Sequence, residues 1–364
     1  MRNKFLLLFI LVSSSSYGFS EQNNLDGMGL EILMGGIGQA RIGSHGALNS
    51  NPSLLAWLPK KQEFMSSNQI NFYKLEGEEG ANVDVSPDVI PRYAASTQGF
   101  GEWGHSYGLT VNNVKIGFSQ NTNEQTLSGL QENQQISLNY SFGYKISDDL
   151  AIGLGIHLAR FETESVYFIL GKNTGEQFSL SLDEKKSVLV QGFSLGAAGR
   201  SDTWSYGLST KFTTITYMAR GKRIQSGYFE QLPTTSVVTT EDVPAVDMVP
   251  IVKVGVKKEF KQFNMYFDTS WIPRAYSSDM DEKQDSEMTF GLAAEGRITD
   301  RYDWYSGYLH NRSEKTNTDS GAISVGVSKK NNHSMNFGGL SFAKGFQGHT
   351  TEVIQVNFGT MFDY

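Results

Sequence analysis

From residue 62 to the last residue the chain repeats one unit: a run with every second residue apolar or aromatic, then a connection. Ile136, Leu138, Tyr140, Phe142 and Tyr144 alternate with Ser137, Asn139, Ser141 and Gly143. Leu150, Ile152, Leu154, Ile156 and Leu158 alternate with Ala151, Gly153, Gly155, His157 and Ala159. A period of two sends successive side chains to opposite faces of a sheet. Fourteen runs are legible, at 62–74, 89–98, 105–120, 133–144, 150–163, 187–199, 203–217, 248–260, 263–272, 287–298, 303–312, 321–329, 334–343 and 352–364. The connections after odd-numbered runs are long (75–88, 121–132, 164–186, 218–247, 273–286, 313–320, 344–351). Those after even-numbered runs are short (99–104, 145–149, 200–202, 261–262, 299–302, 330–333). A soluble sandwich or propeller has no reason to alternate in this way, and no blade repeat is present. A transmembrane barrel requires it, with tight periplasmic turns, long outer loops and an even strand number. The expected fold is all-β, a transmembrane antiparallel β-barrel of about 14 strands, with both termini on the periplasmic side.

The N-terminus agrees with an envelope destination. Arg2 and Lys4 precede an apolar core from Phe5 to Val12, too short to span a bilayer, which needs about 20 residues. Gly18 and Ser20 supply the small residues of a cleavage site, so residues 1–20 read as a signal peptide, 21–60 as a separate N-terminal segment and 61–364 as the barrel. Cleavage removes Arg2 and Lys4 and takes the net charge from −7 to −9. So acidic a chain offers phosphate backbones no basic surface, which excludes nucleic acid as a partner. Absence of cysteine excludes a lipoprotein, disulfides and thiolate metal sites. The expected location is the outer membrane of a Gram-negative bacterium, the expected state a monomer, and the expected helper in biogenesis the barrel-assembly machinery.

A charge facing lipid at the bilayer midplane costs roughly 2–4 kcal/mol, so strand charges should face the lumen. This rule assigns Lys211, Lys253, Asp268, Glu295 and Arg297 inward, with His157 and Tyr266 on the same side. No chemistry is expected of them. The six histidines show no metal-ligand spacing, and neither a Gly-x-Ser-x-Gly elbow nor a His-Glu-x-x-His helix occurs. A barrel phospholipase would need Ser, His and an orienting polar residue on one wall. His157 with nearby serines meets that only by the chance expected in a serine-rich barrel, so no catalytic residue, metal or cofactor is assigned.

The segment before the barrel has its own signature: Met34, Gly35, Gly36, Ile37, Gly38, Gln39, Ala40, Arg41, Ile42 and Gly43, running on to Asn51, Pro52, Ser53, Leu54, Leu55, Ala56 and Trp57. Glycine costs backbone entropy, and so dense a cluster implies positive φ or close approach to a surrounding wall. A glycine-rich run followed by Asn-Pro-Ser-Leu-Leu resembles the N-terminal hatch of the FadL family of outer-membrane transporters of hydrophobic compounds. The chain departs from that family between the two parts, where Ser44, His45, Gly46, Ala47, Leu48 and Asn49 replace an acidic pair and alanines. The terminal Tyr364 after an alternating strand likewise resembles the C-terminal signal of outer-membrane barrels, where phenylalanine is commoner.

The resemblance implies a hatch in the lumen, with Gly35, Gly36, Gly38, Asn51 and Pro52 as its motif. Leu33, Ile37, Ile42, Leu48, Leu54, Leu55 and Trp57 would line a ligand pocket. It also implies passive uptake of lipophiles such as long-chain fatty acids, captured among the outer loops and released sideways into membrane lipid. A barrel with the same hatch that transports nothing, serving structure or assembly, is the alternative. In the family the side opening lies at a kink in the third strand. Here the apolar phase of that strand slips by one residue, from Tyr107, Leu109 and Val111 to Val114, Ile116 and Phe118. A β-bulge at Asn112-Asn113 would account for the slip and is the expected gate.

Overall fold

The computed structural model describes residues 29–34, 36–42, 45–48, 50–75, 81–82, 88–121, 125–173, 176–229, 232–241, 250–272, 275–276, 283–284, 286–313, 318–345 and 351–363. The signal peptide at 1–20, Gly35 and Tyr364 lie outside these residues.

Fourteen antiparallel strands form one closed ring: β1 (Gln62–Leu75), β2 (Asp88–Gly99), β3 (Trp103–Asn121), β4 (Gln125–Ser147), β5 (Leu150–Asn173), β6 (Glu176–Ser201), β7 (Trp204–Phe229), β8 (Ile251–Glu259), β9 (Phe263–Ile272), β10 (Glu287–Thr299), β11 (Tyr302–Ser313), β12 (Thr318–Lys330), β13 (Ser334–Gly345) and β14 (Thr351–Asp363). Each pairs with its sequence neighbours, and β14 closes on β1 from Glu63↔Asp363 to Leu75↔Thr351. Closure removes the sheet edges that hydrocarbon cannot satisfy. Burial is inside out for a water-soluble protein. Along β5, Ile152 and Leu154 on the outward phase are 48% and 45% exposed, whereas His157 on the inward phase is 3% exposed. The same division puts Leu138, Tyr140 and Leu208 outside and Asn139, Ser141 and Ser209 inside. Only a lipid-facing wall makes that arrangement favourable.

Two of the expected outer loops are largely strand. β4 begins at Gln125, β5 runs to Asn173 and β6 starts at Glu176, so 125–132, 164–173 and 176–186 continue the ladder. Much of 218–247 does so too, because β7 runs to Phe229 and a further strand, Leu232–Glu241, pairs with its outer half. β6 and β7 have 26 residues each, while β8 and β9 have 9 and 10. At about 3.3 Å per residue and a tilt near 40°, 26 residues rise roughly 65 Å, against an apolar band of about 25 Å. The wall therefore stands high above the membrane on one side and ends near its surface on the other.

The N-terminal segment folds into three short 3₁₀ helices, Gly29–Met34, His45–Leu48 and Pro52–Trp57. The first packs on β1 and β10 to β14, the last on β2 to β6. Contact with opposite arcs of a closed ring puts the segment across the interior.

Candidate functional site: the filled lumen

The Asn-Pro corner is a helix start. Asn51 caps the helix Pro52–Trp57, its Oδ1 accepting from Ser53 N at 3.2 Å and Ser53 Oγ at 2.6 Å. Pro52 occupies the first turn, where its missing N–H costs nothing. The Asn51 amide donates to Gln39 O and Ala197 O, each at 3.2 Å, tying the segment to itself and to β6. Gly36 takes a positive φ of 86°, as the glycine cluster required. On the facing wall Ser209 Oγ donates to Gln39 Oε1 at 2.8 Å and Ser141 Oγ to Leu48 O at 3.0 Å.

The opposite arc binds by charge. Asp268 Oδ2 on β9 accepts both Gly38 N (2.7 Å) and Gln39 N (2.9 Å). Arg41 donates through Nε and Nη2 to Glu295 Oε2 on β10, at 3.2 and 3.0 Å, and through Nη1 to Glu31 Oε1 at 3.0 Å. Burial alone would lower the pKa of Arg41; Glu295 and Glu31 more than offset it and hold the guanidinium well above its ordinary value. Tyr266 and Asn264 complete the hydrogen bonds around Glu295.

Apolar packing fills the rest. Leu33, Ile37, Leu48, Leu54 and Leu55 are at most 1% exposed, and Ile42 and Trp57 are partly buried beside them. Ile37 also borders a small cleft with Gly36, Gln39, Lys253, Asp268 and Thr289. The wall makes room with glycines where the segment comes closest. A Cβ at Gly104, Gly143, Gly153, Gly196 or Gly207 would overlap the backbone or Asn51 of the segment on one arc; at Gly255, Gly291, Gly307 or Gly326 it would overlap Gln39, Ile37, Met34 or Leu33 on the other. This belt of glycines, one on each of nine strands, is the part of the site that sequence reading missed. Its signal was there, as single inward-phase glycines such as Gly153 and Gly207 opposite apolar neighbours.

The inward charges fall into two groups. Asp268 and Glu295 bind the N-terminal segment, and Lys253 and Lys211 are partly buried on the same inner face. Arg297 does not line the lumen. Its side chain is 66% exposed and 4.0 Å from Asp300, because its phase is right but its position is at the rim beside the 299–302 turn. His157 joins Asn139 and Ser194 in the order of a hydrolase triad, Nδ1 to Asn139 Oδ1 at 2.7 Å and Nε2 to Ser194 Oγ at 3.0 Å. Ser194 and His157 are 4% and 3% exposed, too enclosed for an ester to reach, and the chain of bonds braces β4, β5 and β6 against one another.

Asn112-Asn113 is not a bulge. β3 and β4 pair in one register from Trp103↔Tyr144 to Asn121↔Thr126, so the slip changes which residues are apolar and not how the backbone pairs. The irregularity lies one strand earlier. On β2, Ser67 faces Tyr93 and Asn68 faces Pro91, leaving Arg92 as an extra residue. The β2–β3 ladder ends there, at Tyr93↔Thr110. Beyond it, Asp88–Pro91 of β2 and Val111–Asn113 of β3 are not paired with each other, and further out Asn82 and Ala81 pair with Ser119 and Gln120.

No protein-family model matches the sequence, and no curated protein matches it either. Solved structures match its fold over nearly the whole chain. A monoaromatic hydrocarbon channel, CymD, superposes with a TM-score of 0.75 at 14% identity, covering 94% of this chain and 98% of its own. The Ralstonia pickettii toluene transporter TbuX gives 0.74 at 14% identity, covering 94% and 99%. A Pseudomonas aeruginosa FadL homologue gives 0.65 at 11% identity, covering 91% and 97%. At these identities the likeness is one of fold: the closed fourteen-stranded barrel is the architecture of FadL-type channels.

Proposed function

We propose that the chain is an outer-membrane channel of the FadL type that takes up hydrophobic small molecules passively and releases them through the side of the barrel. One observation carries the reading: the N-terminal segment is seated directly against a belt of wall glycines, while the β2–β3 ladder is interrupted above it, beyond Tyr93↔Thr110. A plug held by nine strands and two sets of buried hydrogen bonds cannot slide aside for each solute. A break in the wall offers a route that leaves the plug in place, and a lipophile loses nothing by stepping from it into hydrocarbon. In this reading the inner face of the tall β4–β7 wall receives the ligand, the hatch closes the floor, and Leu33, Leu48, Leu54 and Leu55 are its seat. Ile37, at the cleft by Lys253, is the hatch side chain nearest a ligand.

Monoaromatic hydrocarbons are the first class to test, since proteins named for them share this fold; long-chain fatty acids are the second. The test is uptake of radiolabelled toluene and of a long-chain fatty acid by cells carrying or lacking the protein. Faster entry of either, with no gain for a sugar of equal size, supports the reading. Equal rates with and without the protein would favour a barrel that transports nothing.

A further inference from the structure

We infer that the outer face of the tall β4–β7 wall binds the headgroup of a phosphorylated glycolipid in the outer leaflet; this rests on the outer-membrane placement and not on transport. Three tiers stack along that face. β5 keeps one register with β4 and β6 from Ile152 upward, so its even-numbered residues stay on the outward side as far as Leu170. The lowest tier, Ile152 to Leu158, meets acyl chains. Arg160, ten residues up β5 from Leu150, stands about 25 Å above the rim, where the apolar band ends. There the face becomes charged: the ladder sets Glu162 beside Ser187 and Arg220, and Glu164 beside Lys185 and Lys222. Higher still it turns apolar again, with Leu130, Val166, Phe168, Leu170 and Tyr228 each 39% to 45% exposed. An exposed apolar patch clear of the hydrocarbon marks an interaction surface.

The charges of the middle tier select an anion. Arg160 pairs with Glu162 at 2.5 Å and Lys185 with Glu164 at 3.4 Å. Lys222 stands directly opposite Lys185 on the ladder, with Arg220 on the diagonal, and both are exposed. Among the described residues neither Arg220 nor Lys222 has an ion-pair partner. Like charges facing each other across a strand pair repel, and their Cβ atoms stand about 5–8 Å apart. Three long side chains at that spacing close on one phosphate, which turns the repulsion into attraction. Glu162, Glu164 and Asp183 share the face, and carboxylates meet phosphate through divalent cations. Acyl chain, phosphate and sugar follow one another in a phosphorylated glycolipid, and apolar and aromatic side chains cover the nonpolar faces of sugar rings. The order of the tiers therefore selects a glycolipid over a simple phospholipid, whose headgroup ends at the middle tier.

The test titrates the purified full-length barrel in detergent with fluorescent deep-rough lipopolysaccharide and reads binding by anisotropy. The variant Lys185→Gln/Arg220→Gln/Lys222→Gln should bind at least tenfold more weakly and keep wild-type heat resistance, since all three changes are on the outer surface. Lys258→Gln/Arg301→Gln/Lys329→Gln, which removes equal charge beside the periplasmic turns, should bind within twofold of wild type. An enzymatically dephosphorylated probe should abolish the difference between wild type and the first variant. Phe168→Ser/Tyr228→Ser should weaken binding of both probes. Equal affinity of wild type and the first variant would overturn the inference, as would equal losses in the two triple variants. Displacement of the probe by millimolar inorganic phosphate would also overturn it, making the patch a site for a free anion. Binding is read without uptake, so loss of the transport reading would leave this inference standing.

Discussion

Asp268 offers the sharpest way to loosen the hatch without touching the barrel. Its Oδ2 is the acceptor for two successive backbone N–H groups, Gly38 and Gln39, at 2.7 and 2.9 Å in a fully enclosed position. Hydrogen bonds to a charged acceptor contribute about 1.5–3 kcal/mol each, and removing the acceptor leaves both donors buried and unsatisfied. Asp268→Ala should therefore favour release of the 36–42 arm by about 3–6 kcal/mol, roughly a 10²- to 10⁴-fold rise in its open population. Asp268→Asn keeps the shape and a neutral acceptor, and should lose less than half of that. Two readouts follow the arm: amide exchange at residues 36–41, and ionic conductance in a planar bilayer, where transient opening appears as brief events. Barrel heat resistance should hold, because the wall ladder at Asp268 pairs with Gly255 and Gly291 through the backbone. Unchanged exchange and conductance in the alanine variant would refute the idea that this carboxylate holds the arm.

Gly207→Val should force Gln39 off the wall and give the same conductance events with the Asp268 side chain itself unchanged. Deleting residues 35–57 should leave a folded barrel that leaks small hydrophilic solutes, read by their uptake; failure to fold would make the segment a core and not a plug. Lys61 bridges Glu63 and Asp363 (3.0 Å) across the β1–β14 seam. Burial pulls its pKa down but the hydrogen bonds to Glu63 and Asp363 raise it on balance. The contribution is therefore full below the ordinary lysine range and lost as pH climbs through the raised value. Heat resistance of the wild type should fall at strongly alkaline pH more than that of Lys61→Met. Protease sites inserted at 174–175 should be cut on intact cells, whereas sites at 145–149 should be protected.

All fourteen strands, their order and their faces were legible because each crosses the bilayer with one apolar face. Where that constraint ended, so did the legibility. Above the membrane the outward phase of β5 changes to Arg160, Glu162 and Glu164, which reads as loop although the ladder continues. β7 was harder still: two register shifts against β6, near Thr214 and Tyr217, break its alternation twice. The motif falls in the segment that crosses the interior, and the cap geometry of its last helix follows from Asn51 and Pro52. The wall glycines that receive it were invisible as a set because they are single residues on separate strands, united only by closure of the ring. The bulge was expected at Asn112-Asn113 because an apolar phase slip imitates one, while the register shift beside Pro91 was hidden inside an otherwise regular run.

The most direct measurement closes the β2–β3 seam reversibly. The chain contains no cysteine, so Ile90→Cys and Asn112→Cys, whose ladder partners Gln69 and Gln135 share the inward phase, would supply the only pair, joined by a short reducible cross-linker. Toluene uptake is then measured in cells carrying the double variant, before and after reduction. A side exit predicts uptake near the level of cells without the protein when the seam is closed, and recovery to the uncross-linked rate on reduction. Uptake that proceeds equally with the seam locked would contradict it and send the ligand through the hatch.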